Sequence, residues 1–425
     1  MRRVGTVAVT IFAGAALALA AGADAPVRSA TVKGLTVLYS FQGAPDGSAP
    51  NGGVVVDAAG NVFGTTLAGG SANDGAVFAL QPRHGAYAES VVHSFTGTDG
   101  ASPYAAPLAD AGGDLFVTAS AGGSDQDGSV VELSPQSGGY GETATFSFDA
   151  TNGANPSAGL AAVGGTLYTT ATNGGAYGYG AIVALSADGH GATDVYDFQN
   201  APDGAYPQAG LVADASGALY GTTYYGGSAS CSHGNNHLFY HCGTVFKFVP
   251  SQSGGTETVL WTFSGGDNGD GADPNGGLVV DKHGNLYGTT VFGGGTGCGK
   301  GGTPPGCGAV FELKRAGTHY SERILHAFSG APDGQYPYAG LTAKGELYGT
   351  TSLGGTVSSV CGLGCGTIFS LAKSGASYSV LHAFEASEGE QPVAPLFAKG
   401  SILYGTTSAG GSNACGCGSV FEFVP

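Results

Sequence analysis

Positive charge is what this sequence has least of. Of 425 residues only 14 are Lys or Arg, against 31 Asp or Glu, for a formal net charge of −17. No basic run follows Arg2 and Arg3, so the electrostatic footprint of a nucleic-acid binder is missing. An acidic surface is also repelled by anionic lipid. Methionine occurs once, charged residues make up 11 %, and no window keeps a 3.6-residue apolar period over ten positions. A helical protein is thereby excluded. A disordered chain is excluded as well, because 42 % of the residues are hydrophobic. Long apolar runs are absent except for Val7 to Ala21, which is too short to span a bilayer. It follows Arg2 and Arg3 and leads to small-x-small sites ending at Ala20, Ala23 and Ala25, the form of a secretory signal. Residues 1–23 are expected to be removed after Ala23, leaving 24–34 as a short linker. The first half of the chain also lacks cysteine.

Glycine is abundant, with 80 residues, but not at every third position, which excludes collagen. Glycine with Thr, Val, Tyr and Phe points to short strands joined by tight turns. One phrase recurs: Val62-Phe63-Gly64-Thr65-Thr66, Leu219-Tyr220-Gly221-Thr222-Thr223, Leu286-Tyr287-Gly288, Leu347-Tyr348-Gly349 and Leu403-Tyr404-Gly405. Variants stand at Leu115-Phe116-Val117-Thr118 and Leu167-Tyr168-Thr169-Thr170. These seven copies recur at intervals of roughly 50 to 70 residues, the period of a solenoid or a propeller. Each repeat holds four strand-like runs. In the fourth these are 210–214, 219–224, 243–248 and 257–263. The chain finishes on a third-type run, 419–423, and the missing fourth run stands at the other end as 35–41. Pairing the two would latch a ring and remove a sheet edge. The fold expected for residues 35–425 is therefore all-β, a seven-bladed β-propeller with four antiparallel strands per blade.

The phrase Leu-Tyr-Gly-Thr-Thr, then Gly-Gly, then Gly-Thr-Val-Phe resembles the tandem "GloVer" (Gloeo/Verruco) repeat of secreted bacterial proteins over residues 35 to 425. The strand, Gly-Gly, strand order also resembles kelch propellers. Val117 and Thr169 depart from the pattern, which predicts differently shaped hairpins in blades 2 and 3. The resemblance implies a repeat scaffold, often with a surface anchor, and no particular activity. The chain reaches Pro425 without such an anchor, which favours release.

Two sets of loops are expected to share one face: the links between blades and the loops between second and third strands. The links carry Asp46-Gly47, Asp99-Gly100, Asn152-Gly153, Asp203-Gly204, Asp270-Gly271, Asp333-Gly334 and Glu388-Gly389, each followed shortly by Pro. Asp-Gly is turn chemistry. The alternative is an acidic ring at the mouth of the channel, suited to cations or sugar hydroxyls. Tyr104, Tyr206, Tyr336 and Tyr338 lie in the links, and Tyr224 and Tyr225 beside the loops. Aromatic rings held on a rigid scaffold stack on sugars. The candidate ligand-binding residues are accordingly Asp203, Tyr206, Tyr224, Tyr225, Asp333, Tyr336, Tyr338 and Tyr104.

An even cysteine count in an exported chain favours disulfides. Cys231 with Cys242, Cys298 with Cys307, and Cys361 with Cys365 fall as local couples in the second-to-third-strand loops. Cys415 and Cys417 are tight for a bond with each other, so pairing to a neighbouring loop stays open. The loop Cys231 to Cys242 also holds His233, His237 and His241, a metal or polar binding candidate. Asp267, Asp270 and Asp273 form a calcium candidate without EF-hand spacing. No cofactor other than calcium is implied.

Gly-x-Ser-x-Gly, phosphate-loop, dinucleotide and His-Glu-x-x-His signatures are all absent. The reading these features support is a secreted, monomeric binding or interaction module. Its expected partner is an extracellular glycan or protein, most of all a glycan on the loop face. The rival is a polysaccharide hydrolase or lyase with its site at the channel mouth. A structural or adhesive surface protein is the third reading.

Overall fold

Short runs rich in Val, Phe, Tyr and Thr, broken by Gly-containing turns, make each repeat fold as a four-stranded antiparallel meander. In a computed structural model that describes residues 33–186, 191–227, 242–252, 254–265, 270–295, 298 and 306–425, all named elements are strands. They form seven four-stranded sheets and three two-stranded ones. The expected signal segment and its expected cleavage site lie outside the described residues. Blade 1 runs through Val54–Val56, Val62–Thr66, Ala76–Arg83 and Ala86–Ser94. The second strand is buried along its whole length and the outer strand is not. The inner strands of all seven blades begin at a central channel.

The ring closes as the displaced strand requires. Gly34–Ser40 pairs antiparallel with Ser419–Val424, placing Leu35 opposite Phe423 and Val37 opposite Phe421. Ile402–Thr407 and Phe397–Lys399 complete that blade. The outer hairpins are longer than the sequence pattern indicates. In blade 4 the third strand is Thr244–Ser251 and the outer strand Gly254–Thr262, with Pro250 opposite Gly255. These hairpin tips project beyond the core, so no hydrophobic alternation marks them.

Two devices hold the blades. The phrase glycine lies in register with the third-strand phenylalanine, as in Gly64 opposite Phe78 and Gly221 opposite Phe246. A Cβ at Gly64 or Gly221 would come within 2.5 Å of the phenyl ring. In blades 2 and 3 the pairs are Val117 with Val131 and Thr169 with Val183. These blades keep the same strand order and exchange a small–large pair for two mid-sized residues. The expected change of hairpin shape is therefore replaced by a conserved packing volume.

The phrase threonine joins six of the seven blades to the next. Its hydroxyl donates to a carbonyl in the following link: Thr65 to Ala105 (2.9 Å), Thr118 to Ala158 (2.9 Å) and Thr170 to Ala209 (3.1 Å). Thr289 donates to Ala339 (2.8 Å) and Thr350 to Ala394 (3.4 Å). Thr406 donates to Gly52 (2.9 Å) and crosses the closure. Each bond contributes about 1 kcal/mol. Blade 4 breaks the series, since the buried Thr222 hydroxyl has no partner.

Three cysteine couples are disulfides: Cys298–Cys307, Cys361–Cys365 and Cys415–Cys417. The last joins within its couple and not to a neighbouring loop. Gly416 between them takes φ +60° and folds the chain back, bringing the Cα atoms to 5.2 Å. Cys242 is buried; Cys231 and the three loop histidines lie outside the described residues.

Candidate functional site

Each link between blades carries a proline three residues after the glycine of its Asp-Gly, Asn-Gly or Glu-Gly step, at Pro50, Pro103, Pro156, Pro207, Pro274, Pro337 and Pro392, and the residues on the far side of these prolines line the channel. The residue before the proline has a left-handed backbone in all seven links, with φ between 53° and 57° at Ala49, Ser102, Asn155, Tyr206, Asp273, Tyr336 and Gln391. Bulky side chains rarely adopt this conformation. Backbone bonds on both sides hold it. The Tyr206 N–H donates to Tyr179 O of the preceding blade (2.8 Å), and Tyr206 O accepts from Tyr224 N–H (3.1 Å). Asp273 is held in the same way, by Cys242 O (3.0 Å) and Val291 N–H (3.2 Å). The seven side chains are thus aimed by a common backbone and differ only in chemistry.

The residues after the prolines, Asn51, Tyr104, Ser157, Gln208, Asn275, Tyr338 and Val393, line a central cavity of about 410 Å³. Asn275 donates to Gln208 at 2.8 Å, joining neighbours around the ring. Tyr104 is 42 % exposed. Burial raises the Tyr338 hydroxyl above the ordinary tyrosine value, with Tyr336, Tyr104 and Asp273 adding to the effect.

Aromatic residues gather where blades 4 to 6 meet the mouth. Tyr206 lies 6.1 Å from Tyr225, and Tyr225 lies 4.5 Å from Tyr224. Phe292 packs edge-on against Tyr336 at 5.3 Å. Among them stands Asp273, 4 % exposed, with Oδ1 buried and without a hydrogen-bond partner. Burial pushes its carboxyl up to about 7. Burial first, then the Asp273 charge, raises the Tyr224 hydroxyl. The cluster presents ring faces for stacking and a buried acid that can donate or accept a hydrogen bond near neutrality.

The Asp-Gly acids are placed elsewhere. None of them lines the central cavity. Each turns outward to the junction between two blades and caps the turn that follows the outer strand. Asp203, 5 % exposed, accepts from Gln199 N–H (3.1 Å) and from the Tyr196 hydroxyl (2.6 Å). Asp333 accepts from Ser329 N–H (3.1 Å) and from the Tyr378 hydroxyl (2.5 Å), and pairs with His326 (3.1 Å). Burial would raise Asp333, but these bonds hold it below the usual carboxylate range. The turn reading of the motif accounts for these contacts, and no acidic ring faces the channel among the described residues. Asp270 is likewise bonded to Ser264, through N–H and hydroxyl at 3.1 Å each. Asp267 lies outside the described residues.

Of the eight residues the sequence nominated, Tyr104 and Tyr338 line the central cavity, Tyr206, Tyr224, Tyr225 and Tyr336 belong to the aromatic cluster beside it and outside its lining, and the two aspartates cap turns at the rim. Sequence reasoning treated Asp273 as a calcium ligand only, and did not single out Gln208 or Asn275. The signal for all three was the position of the link proline, which aligns the residues on either side of it.

The Gloeobacter/Verrucomicrobia repeat family matches residues 26–160, 104–303 and 295–425. No curated protein matches the sequence. Among solved structures, a Bacteroides uniformis protein provisionally named a 6-phosphogluconolactonase is similar at 15 % identity, with 81 % of this chain and 88 % of that one covered and a TM-score of 0.51. A protein provisionally named a gluconolactonase is similar at 14 % identity over 75 % of this chain and 87 % of that one, with a TM-score of 0.42. The first likeness bears on the fold alone.

Proposed function

Since the chain belongs to the Gloeobacter/Verrucomicrobia repeat family, whose repeats here close into one propeller, we propose that it is a binding module that takes a glycan at the tyrosine-rich sector of the channel mouth. The observation that carries this reading is Asp273: a buried carboxyl with an unpartnered oxygen, framed by tyrosines on a fixed backbone. A buried polar atom without a partner is unfavourable by itself and is relieved by a ligand hydroxyl. Tyr224, Tyr225 and Tyr336 supply rings for the apolar faces of sugars, while Gln208 and Asn275 offer amides to hydroxyl edges. The disulfides of blades 5 to 7 accord with an oxidising compartment, so the module is read as exported and acting on extracellular material. No described helix is long and apolar enough to cross a membrane.

The test is a screen of the full chain against neutral and acidic polysaccharides, read for retention and for product. Retention that falls at least tenfold in Tyr224→Ala and Asp273→Asn supports the module. Retention unaffected by both substitutions removes this site.

A second reading follows from the same carboxyl. An acid near 7 is suited to protonate a leaving oxygen, as a glycan hydrolase or lyase requires. Release of reducing or unsaturated ends, abolished by Asp273→Asn, would establish it in place of simple binding.

A further inference from the structure

We propose that the junction of blades 1 and 2 holds a divalent transition-metal site formed by His93, Asp99 and Glu142, on the outer rim and independent of the channel mouth. One ligand atom from each of the three lies within 4.8 Å of the other two. His93 Nε2 is 2.7 Å from Asp99 Oδ2. The other oxygens are already held. Asp99 Oδ1 accepts from Thr96 N–H (2.9 Å) and the Thr96 hydroxyl (2.8 Å), and Glu142 Oε1 accepts from the Thr145 hydroxyl (2.6 Å). Outer partners of this kind fix ligand orientation in metal sites. The three side chains open onto a cavity of about 390 Å³ that Thr96, Thr98 and Thr145 also line.

The repeat supplies its own controls, because every junction offers the same three positions. The first is the outer-strand residue two before the buried phenylalanine, the second the link acid, and the third a residue on the next outer strand. At the junction of blades 5 and 6, His326 and Asp333 occupy the first two positions, but the third is Tyr378. That ring stacks on His326 at 3.5 Å and donates to Asp333, so no second carboxylate is present. At the junction of blades 6 and 7, His382 and Glu388 pair at 2.8 Å and the third position is Leu35. Where the third position is a carboxyl, at Glu89, Glu257 and Glu322, the first is Tyr39, Tyr196 or Trp261, which bring no nitrogen ligand for a metal. Only the junction of blades 1 and 2 combines an imidazole with two carboxylates. That donor set suits zinc, manganese or iron(II) better than calcium or magnesium, and three protein ligands leave an open position for water or substrate.

The test is titration of zinc chloride into the chelator-stripped full chain by calorimetry, with calcium chloride in parallel. One zinc per chain is expected, at an affinity that falls at least about tenfold in Glu142→Gln and in His93→Gln and stays unchanged in His326→Gln. Glu142 is exposed, so its variant should fold as the parent does, and circular dichroism checks this. Zinc-edge anomalous scattering from soaked crystals should place the ion between the three side chains. Absence of zinc binding at millimolar concentration, an unchanged affinity in Glu142→Gln, or loss only on replacing His237 in the blade 4 loop would overturn the proposal.

Discussion

The two halves of each inter-blade link have opposite fates. The Asp-Gly half faces the rim, where its carboxyl is bound to the turn and to an outer-strand side chain, as Asp203 is to Gln199 and Tyr196. In the proline half the backbone before the proline is bonded identically in every blade while its side chains vary from Ala49 to Tyr206 and Asp273, and the residues after the proline line the channel, varying from Val393 to Tyr104 and Asn275. At the rim the side chain is the structural part. At the mouth the backbone is the structural part and the side chain is available for recognition. Repetition of a residue type around the ring therefore marks architecture in this molecule, and variation on a repeated backbone marks the candidate site.

The sharpest way to break this comparison is to disturb the scaffold while leaving the mouth intact. Gly221→Val should drive a side chain into Phe246 and destabilise the protein by about 3 kcal/mol in urea unfolding. Combined with Phe246→Val it should regain at least half of that loss, because blades 2 and 3 already use the Val117–Val131 and Thr169–Val183 pairs. Failure of the double variant to recover would show that the pairs are not interchangeable.

A smaller effect should separate rim from mouth. Asp203→Asn keeps the shape of a turn-capping group and weakens its bonds. It should lower stability by about 1–2 kcal/mol in urea unfolding while leaving glycan retention within twofold. Tyr224→Ala should do the reverse, reducing retention at least tenfold with a melting temperature within a few degrees of the parent.

The acids also predict a pH dependence. Burial, first among its causes, raises Glu89, Glu257 and Glu322 to about 7, helped by the neighbouring Asp46, Asp203 and Asp270; burial alone raises Asp273 to the same level. A folded value above the unfolded one means the native state holds these protons more tightly. Their stabilisation is complete below about 4.5 and is lost as pH rises through about 7. Asp99, Asp214, Asp281 and Asp333 are held low and act in the opposite sense, losing their contribution as pH falls below about 4. The urea midpoint should be higher at pH 5 than at pH 8, and Glu257→Gln should flatten the difference. A midpoint that rises between pH 5 and 8 would contradict the assignment. The smallest effect is expected on the far side of the mouth, where Val393→Ala should leave both retention and stability nearly unchanged.

Much of the architecture was readable from the sequence because a repeat tests itself. Seven phrases and a displaced strand at 35–41 specify seven blades and the closure, and Leu35 does lie opposite Phe423. The hairpin tips, such as Val249 to Ser251, were not readable, since strands that leave the core lose the alternation that reports them. The volume exchange in blades 2 and 3 is invisible when Val117 is considered alone, because its meaning depends on Val131. The mouth was half legible. Tyrosine in a link suggests recognition; Tyr104 and Tyr338 line the cavity, while Tyr206 and Tyr336 precede the link prolines and lie outside its lining. Asp203 and Asp333 precede a glycine and Asp273 precedes the link proline, so the spacing did separate them, but that the first position caps a turn while the second leaves an oxygen unpartnered depends on packing in three dimensions.

The central claim is that ligand is taken at the proline half of the link and not at the acidic half. Glycan retention on a polysaccharide column, measured side by side for the parent, Asp273→Asn and Asp203→Asn, tests it most directly. The account predicts that Asp273→Asn loses retention at least tenfold while Asp203→Asn keeps it within twofold. Equal retention by all three, loss confined to Asp203→Asn, or no retention of the parent on any glycan would contradict it.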